Sequence, residues 1–401
     1  MGKTVELYYE NAYITEFEAK VLSCSAGEGG KYEAVLDKTA FFPEQGGQTS
    51  DVGKLVTGEG ETVNVLYTGI RKIEETGEDE IYHVLDKCID AGACVKGEID
   101  SEHRFSNMQQ HTGEHIFSGI VNREFGYDNV GFHLSDTEVT MDYNGVLSGE
   151  DIARIERLVN EAIWKNVRVV AAFPSEEELK EIDYRSKKEL TGAIRIVTVE
   201  GYDVCACCAP HVERTGEVGL LKVVGVHNYK GGVRVNILCG KRALEFLTGE
   251  HDILSGLAAD FSTSYDKVEA SVAKLKDDNA ALKADLLTER EKLLGYELAE
   301  IDKSLKNVFL FKDADTDNNL MRKTVNKLAE DHDGFCGIFA GDDEKGYRYI
   351  VASGKAGGDA RDVAGLLREK FGAKGGGSNQ MIQGSISGAS ANDIADCCNN
   401  L

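Results

Sequence analysis

Two short motifs oblige distant parts of this chain to fold together. QQHTGEHIFSG sets His111 and His115 four residues apart, and CACCAPHVERTGEVG sets Cys207 four residues before His211. The apolar periodicity around the first pair predicts a helix, on which side chains at i and i+4 project from one face about a turn apart. The second pair falls in a turn that contains Pro210. Three imidazoles and one thiolate form a tetrahedral ligand set for zinc. Cys205 and Cys208 compete with Cys207 as thiolates, and spacing does not choose among them. Four protein ligands describe a closed site, which is normally structural, whereas a catalytic zinc keeps one position for water or substrate. The pattern leaves both uses open.

The obvious rival is a zinc metallopeptidase. Those enzymes carry H-E-x-x-H, with a glutamate directly after the first histidine as general base. Here Thr112 follows His111, and the glutamate is Glu114, directly before His115. On a helix Glu114 points about 100° away from His115, so the peptidase arrangement is not met.

The 401 residues suffice for several domains, and 42% hydrophobic with 28% charged residues describes an ordinary globular chain. No apolar run is long enough to span a bilayer, and the first twenty residues are charged throughout, without a signal core. Ten cysteines in such a chain are not a disulfide framework, so a reducing cytoplasm is expected. The net charge of -24 argues against nucleic acid if taken alone. Its distribution is uneven, however: Lys222, Lys230, Arg234, Lys241 and Arg242 form one basic stretch, and Arg185, Lys187 and Lys188 another. Both flank the Cys-x3-His turn.

Residues 1–98 read as short strands broken by glycine-rich turns, the pattern of a small β-barrel, with FFPEQGGQTSDVG as its most distinctive loop. Residues 99–248 read as mixed α and β. They include the histidine helix, a second helix opened by Ser148, a capping box at Ser175 and Glu178, and a strand IRIVTVEGYDV leading into the Cys-x3-His turn. Residues 249–304 read as a helical linker. Val268, Val272, Leu275, Asn279, Leu282, Leu286, Glu289, Leu293 and Tyr296 alternate spacings of four and three, a heptad seam that fits either a dimeric coiled coil or a helix packed on its own chain. Residues 305–401 read as a separate α/β domain with a glycine cluster, GAKGGGSNQMIQG, that lacks P-loop spacing. The expected architecture is therefore α+β and multidomain: barrel, metal-containing domain, coiled-coil linker and C-terminal α/β domain.

RFSNMQQHTGEH (104–115) and CCAPHVERTGEVG (207–219) resemble the two halves of the editing site of alanyl-tRNA synthetase, and FFPEQGGQTSDVG (41–53) resembles the Gly-Gly-Gln loop of the barrel before that site. The heptad stretch and the glycine-rich tail resemble the linker and C-terminal domain of the same synthetase. A chain that starts at the barrel resembles the long form of the free-standing alanyl-tRNA editing proteins, the AlaX family.

The resemblance implies hydrolysis of the ester joining a wrong amino acid, serine or glycine, to tRNA(Ala). Zinc would be held by His111, His115, Cys207 and His211. Gln45, Gln48, Thr39 and His133 are the candidates for catalysis or the amino-acid pocket. Gly46, Gly47, Thr215 and Gly216 are candidates for the aminoacyl-adenosine end. Arg185, Lys230 and Arg234 are candidates for the acceptor stem. A homodimer through the 264–298 helix or the C-terminal domain fits the seam, and no membrane partner is expected. The contrasting reading is a non-enzymatic, zinc-stabilised RNA-binding or dimerisation protein.

Overall fold

The structure is a computed structural model that describes residues 4–73, 77–186, 193–399 and 401. The chain divides into two compact units, Met1–Gly256 and Leu257–Leu401. No helix among the described residues is long and apolar enough to cross a membrane.

The first unit opens with a closed barrel of six strands: β1 (Glu16–Ala26), β2 (Tyr32–Leu36), β3 (Gly53–Thr57), β4 (Thr62–Lys72), β5 (Asp79–Leu85) and β6 (Cys94–Ile99), in the order β1-β2-β5-β4-β3-β6. Alternation along each strand sends Val21, Leu36, Leu55, Val63, Leu85 and Val95 inward, where they are buried. The last strand runs straight into helix α1 (Ser101–Phe125). Asp100 caps this helix by accepting from the backbone N–H groups of Glu102 and His103, and Gly126 ends it in the left-handed conformation at φ 69°.

Helix α1 packs against a four-stranded antiparallel sheet in the order β12-β13-β8-β7: β7 (Asn129–Leu134), β8 (Val139–Tyr143), β12 (Leu221–Tyr229) and β13 (Gly232–Cys239). Helix α2 (Gly149–Lys165), capped by the reciprocal Ser148–Asp151 box, buries Ile152, Ile155, Val159 and Ala162 into the same core. A three-stranded sheet completes the unit with β9 (Val169–Ala172), β10 (Ile196–Val199) and β11 (Asp203–Ala206). The segment expected as one strand, IRIVTVEGYDV, is two strands, because Glu200 and Gly201, the latter at φ 78°, turn the chain back on itself. Thr215–Val218 is a 3-10 turn closed by Gly219, and β12 begins only after it, at Leu221. Helix α3 (Gly240–Asp260) follows β13.

In the second unit, helix α4 (Val268–Glu300) carries the heptad seam. Leu275, Leu282, Leu286 and Leu293 are more than half exposed, whereas Val268 and Leu294 are buried. The seam is therefore not packed on its own chain over most of its length. The C-terminal sheet has the order β14-β15-β16-β18-β17, from β14 (Val308–Lys312), β15 (Phe335–Asp342), β16 (Gly346–Ser353), β17 (Lys374–Gly377) and β18 (Met381–Ile386). Helices α5 (Asn318–Asp331), α6 (Ala360–Phe371) and α7 (Ala391–Asn399) accompany it. The tail glycines form the exposed edge strand β17 rather than a phosphate loop.

Candidate metal centre and its cavity

Helix α1 is buried on nearly every side from Asn107 to Val121, although much of that stretch is polar. Burial of polar groups is tolerated only when they are hydrogen-bonded, and here they fasten the helix to its surroundings. Gln110 exchanges two bonds with the backbone of Cys239, and Gln109 donates to the Glu217 carbonyl. Glu114 accepts from Ser118 Oγ and Asn129 Nδ2, each at 2.6 Å. That commitment holds Glu114 in a structural network and weighs against a peptidase-type base.

The four sequence-selected ligands converge. One ligand atom from each of His111, His115, Cys207 and His211 lies within 4.8 Å of all the others. Cys207 Sγ is 3.5 Å from His111 Nε2 and 3.3 Å from His211 Nε2. A tetrahedral zinc with ordinary bond lengths spaces its nitrogen and sulfur ligands about 3.3–3.6 Å apart, so the set fits that ion. The surrounding shell fits it too. His111 Nδ1 is bonded to Gln48 Oε1 at 2.8 Å, His115 Nδ1 to Asp203 Oδ2 at 2.9 Å, and His211 Nδ1 to Thr112 Oγ1 at 3.0 Å. The Gln48 and Asp203 oxygens accept, which places the proton of His111 and His115 on Nδ1 and turns their Nε2 atoms toward the cluster. Asp203 is itself held by Arg185 Nε at 2.8 Å.

The Cys-x3-His turn is pinned by Arg195. Its Nη1 donates to the carbonyls of Cys207 and Ala209, its own carbonyl accepts from Cys207 N, and its guanidinium lies over the Tyr9 ring. Burial disfavours the charge on Arg195. Of the competing thiols, Cys208 lies against Gly46, and burial with the neighbouring Cys207 pushes its pKa up to about 12. Cys205 is buried, and burial raises its pKa as well.

A cavity of about 680 Å³ opens onto His111, His115 and Cys207. Its wall is the Gln45-Gly46-Gly47 loop together with Phe132, Phe173 and Arg195. The volume lies in the range of small-ligand sites. The loop is placed by two anchors. Asp51, at its end, bonds the Phe42 N–H and pairs with the fully buried Arg104 of α1. Gly47 O accepts from Leu134 N, and Leu134 O from Thr49 N, docking the loop on β7. Gly47 sits at φ 84°, and a Cβ there would lie 2.5 Å from the Phe132 carbonyl. The amide Nε2 atoms of Gln45 and Gln48 are buried without a hydrogen-bond partner among the described residues.

The other expected site residues stand apart from this cavity. Thr39 is buried in the barrel, bonded to His83 Nε2 and to the Phe41 N–H. His133 is exposed on β7, on the opposite face from Phe132, as strand alternation requires. Thr215 donates to the Ala162 carbonyl and accepts from Val167 N, and Gly216 N bonds Asn166 Oδ1, so this turn ties to the end of α2. Lys230, at φ 46°, occupies the β12–β13 hairpin turn. Arg234 forms a bidentate pair with Asp142, and Lys222 pairs with Glu156. Much of the basic stretch is thus neutralised internally. Lys187 and Lys188 lie outside the described residues. Arg195, Asp203, Thr112 and Phe132 were not anticipated. Arg195, a lone cation inside an apolar strand sequence, was the one visible signal among them.

Residues 194–236 match the family described as the threonyl and alanyl tRNA synthetase second additional domain. The alanine–tRNA ligase of Ignicoccus hospitalis is 30% identical over 82% of this chain and 36% of its own length. That of Pyrococcus furiosus is 29% identical over 96% of this chain and 42% of its own length. The alanyl-tRNA editing protein AlaX-L of Pyrococcus horikoshii is 33% identical over 59% of this chain and 58% of its own length. The chain spans less than half the length of the ligases it matches. With its histidine–cysteine cluster beside a glycine-loop cavity, the chain is AlaX-like: it resembles the alanyl-tRNA editing protein AlaX-L and the alanine–tRNA ligases over these spans.

Proposed function

We propose that the protein is a trans-acting editing hydrolase that deacylates tRNA(Ala) carrying serine, and also glycine. The observation that carries this reading is the three-histidine, one-cysteine cluster opening into a cavity with a buried, unpartnered amide, Gln45 Nε2, in its wall. His111, His115, Cys207 and His211 would hold zinc, which would supply positive charge to orient or polarise the aminoacyl ester. Gln45 Nε2 is then a donor for the substrate carbonyl as charge develops on it, or for the serine hydroxyl. Gln48 orients His111, and Arg185 orients His115 through Asp203. Phe132 and Phe173 offer apolar faces for the terminal nucleoside.

A synthetic pocket sized for alanine rejects an added hydroxyl weakly, so a second site that bonds the hydroxyl corrects the error. Of the basic candidates, Lys230 in its exposed turn is best placed for the RNA backbone, with Arg234 beside it. A cytoplasmic location follows from a role in translation, and the exposed seam of α4 supports a homodimer. Incubation with Ser-tRNA(Ala), Gly-tRNA(Ala) and Ala-tRNA(Ala) tests the reading. Release of serine and glycine with sparing of alanine is expected, and equal rates on all three would contradict an editing role.

A further inference from the structure

Two cysteines that editing leaves unused meet on the barrel. Cys24 lies in β1 and Cys88 in the loop between β5 and β6, and their sulfur atoms are 3.0 Å apart. That is inside the roughly 3.5–4.0 Å contact distance of unbonded heavy atoms. It is about 1 Å longer than a disulfide bond. Backbone bonds hold the approach in place: Val21 N donates to the Ala93 carbonyl at 2.9 Å, and Gly92 N to the Val21 carbonyl at 2.8 Å. Ile89, next to Cys88, is buried in the barrel core and anchors the same loop. Cys24 is half-buried and Cys88 exposed, so one sulfur is open to reagents while its partner waits behind it.

We propose that Cys24 and Cys88 form a reversible disulfide that staples the barrel when the protein meets a low-molecular-weight disulfide such as oxidised glutathione. The Cys88 thiolate attacks one sulfur of the reagent, whose S–S bond breaks. The first reagent thiolate leaves and takes up the proton that Cys88 released. The Cys24 sulfur then attacks the Cys88 sulfur of the mixed disulfide, and the second reagent thiolate leaves with the Cys24 proton. Two protein thiols are oxidised and one reagent disulfide is reduced to two thiols. Burial, and then the bond to Cys88, push the Cys24 thiol up to about 11, which makes the exposed Cys88 the first attacker.

The test treats the full chain with oxidised glutathione, alkylates the remaining thiols and maps peptides without reduction. A Cys24–Cys88 linked pair, reversed by dithiothreitol, is expected. The melting temperature is expected to rise by about 5 °C, because the cross-link restricts the unfolded chain. Cys88→Ser abolishes both the link and the shift while leaving the reduced melting temperature unchanged, and Cys24→Ser checks the link from the other side. Recovery of Cys88 as a lasting mixed disulfide with Cys24 free, or linked to the exposed Cys94, overturns the proposal.

Discussion

At the scale of single residues, the three imidazoles of the candidate metal centre owe their orientation to neighbours outside the ligand cluster. Gln48→Leu removes the acceptor that holds His111 Nδ1, and metal affinity is expected to fall about 10–100-fold, as read by competition with a chelating dye. Gly47→Ala forces a side chain into a left-handed backbone and against the Phe132 carbonyl. It is expected to destabilise the protein by about 1–3 kcal/mol and to slow deacylation, because the loop carrying Gln45 must shift. His83 supplies a pH signature independent of the metal. It is fully enclosed in the barrel, and burial lowers its pKa to about 4. The unfolded chain protonates this histidine near pH 6.5, whereas the folded chain resists until about pH 4. Between those values the unfolded state binds more protons, so stability is full above the window and declines as the pH falls through it, by up to about 3 kcal/mol. Denaturant melts at several pH values read this slope, and His83→Gln is expected to flatten it.

At the scale of elements, Arg104 is the joint between barrel and helix. It pairs with Asp51 at the end of the glycine loop and bonds the carbonyls of Ala12 and Ala40. Arg104→Ala leaves Asp51 buried and uncompensated, with an expected loss of about 3–5 kcal/mol in chemical denaturation. The histidine pair, the barrel and the capped helix at Ser148 were legible because each follows a local rule: i,i+4 spacing, period-two alternation, an N-cap. The strand expected through Gly201 broke in two where that glycine, at positive φ, turned the chain. The cavity wall was harder to read, since Arg195 and Phe132 reach it through pairings between strands and loops distant in sequence. A one-dimensional charge count also could not show that Asp203 and Asp142 pair with Arg185 and Arg234.

At the scale of the whole molecule, the division after Gly256 separates the unit with the histidine–cysteine cluster from the heptad helix and C-terminal sheet. A fragment ending there is expected to keep its metal and its ester hydrolysis while sedimenting as a monomer. The full chain is expected to dimerise in a concentration-dependent way, and Leu282→Lys with Leu286→Lys is expected to abolish that association. The central claim is that one four-ligand cluster sustains tRNA deacylation. The most direct test measures zinc content and Ser-tRNA(Ala) hydrolysis on the same preparations of wild-type protein and His111→Ala. The account predicts one zinc and rapid release of serine for the wild type, with the variant losing metal and at least about 100-fold in rate. Ester left intact by the wild-type protein at high enzyme concentration, with zinc bound, would contradict it.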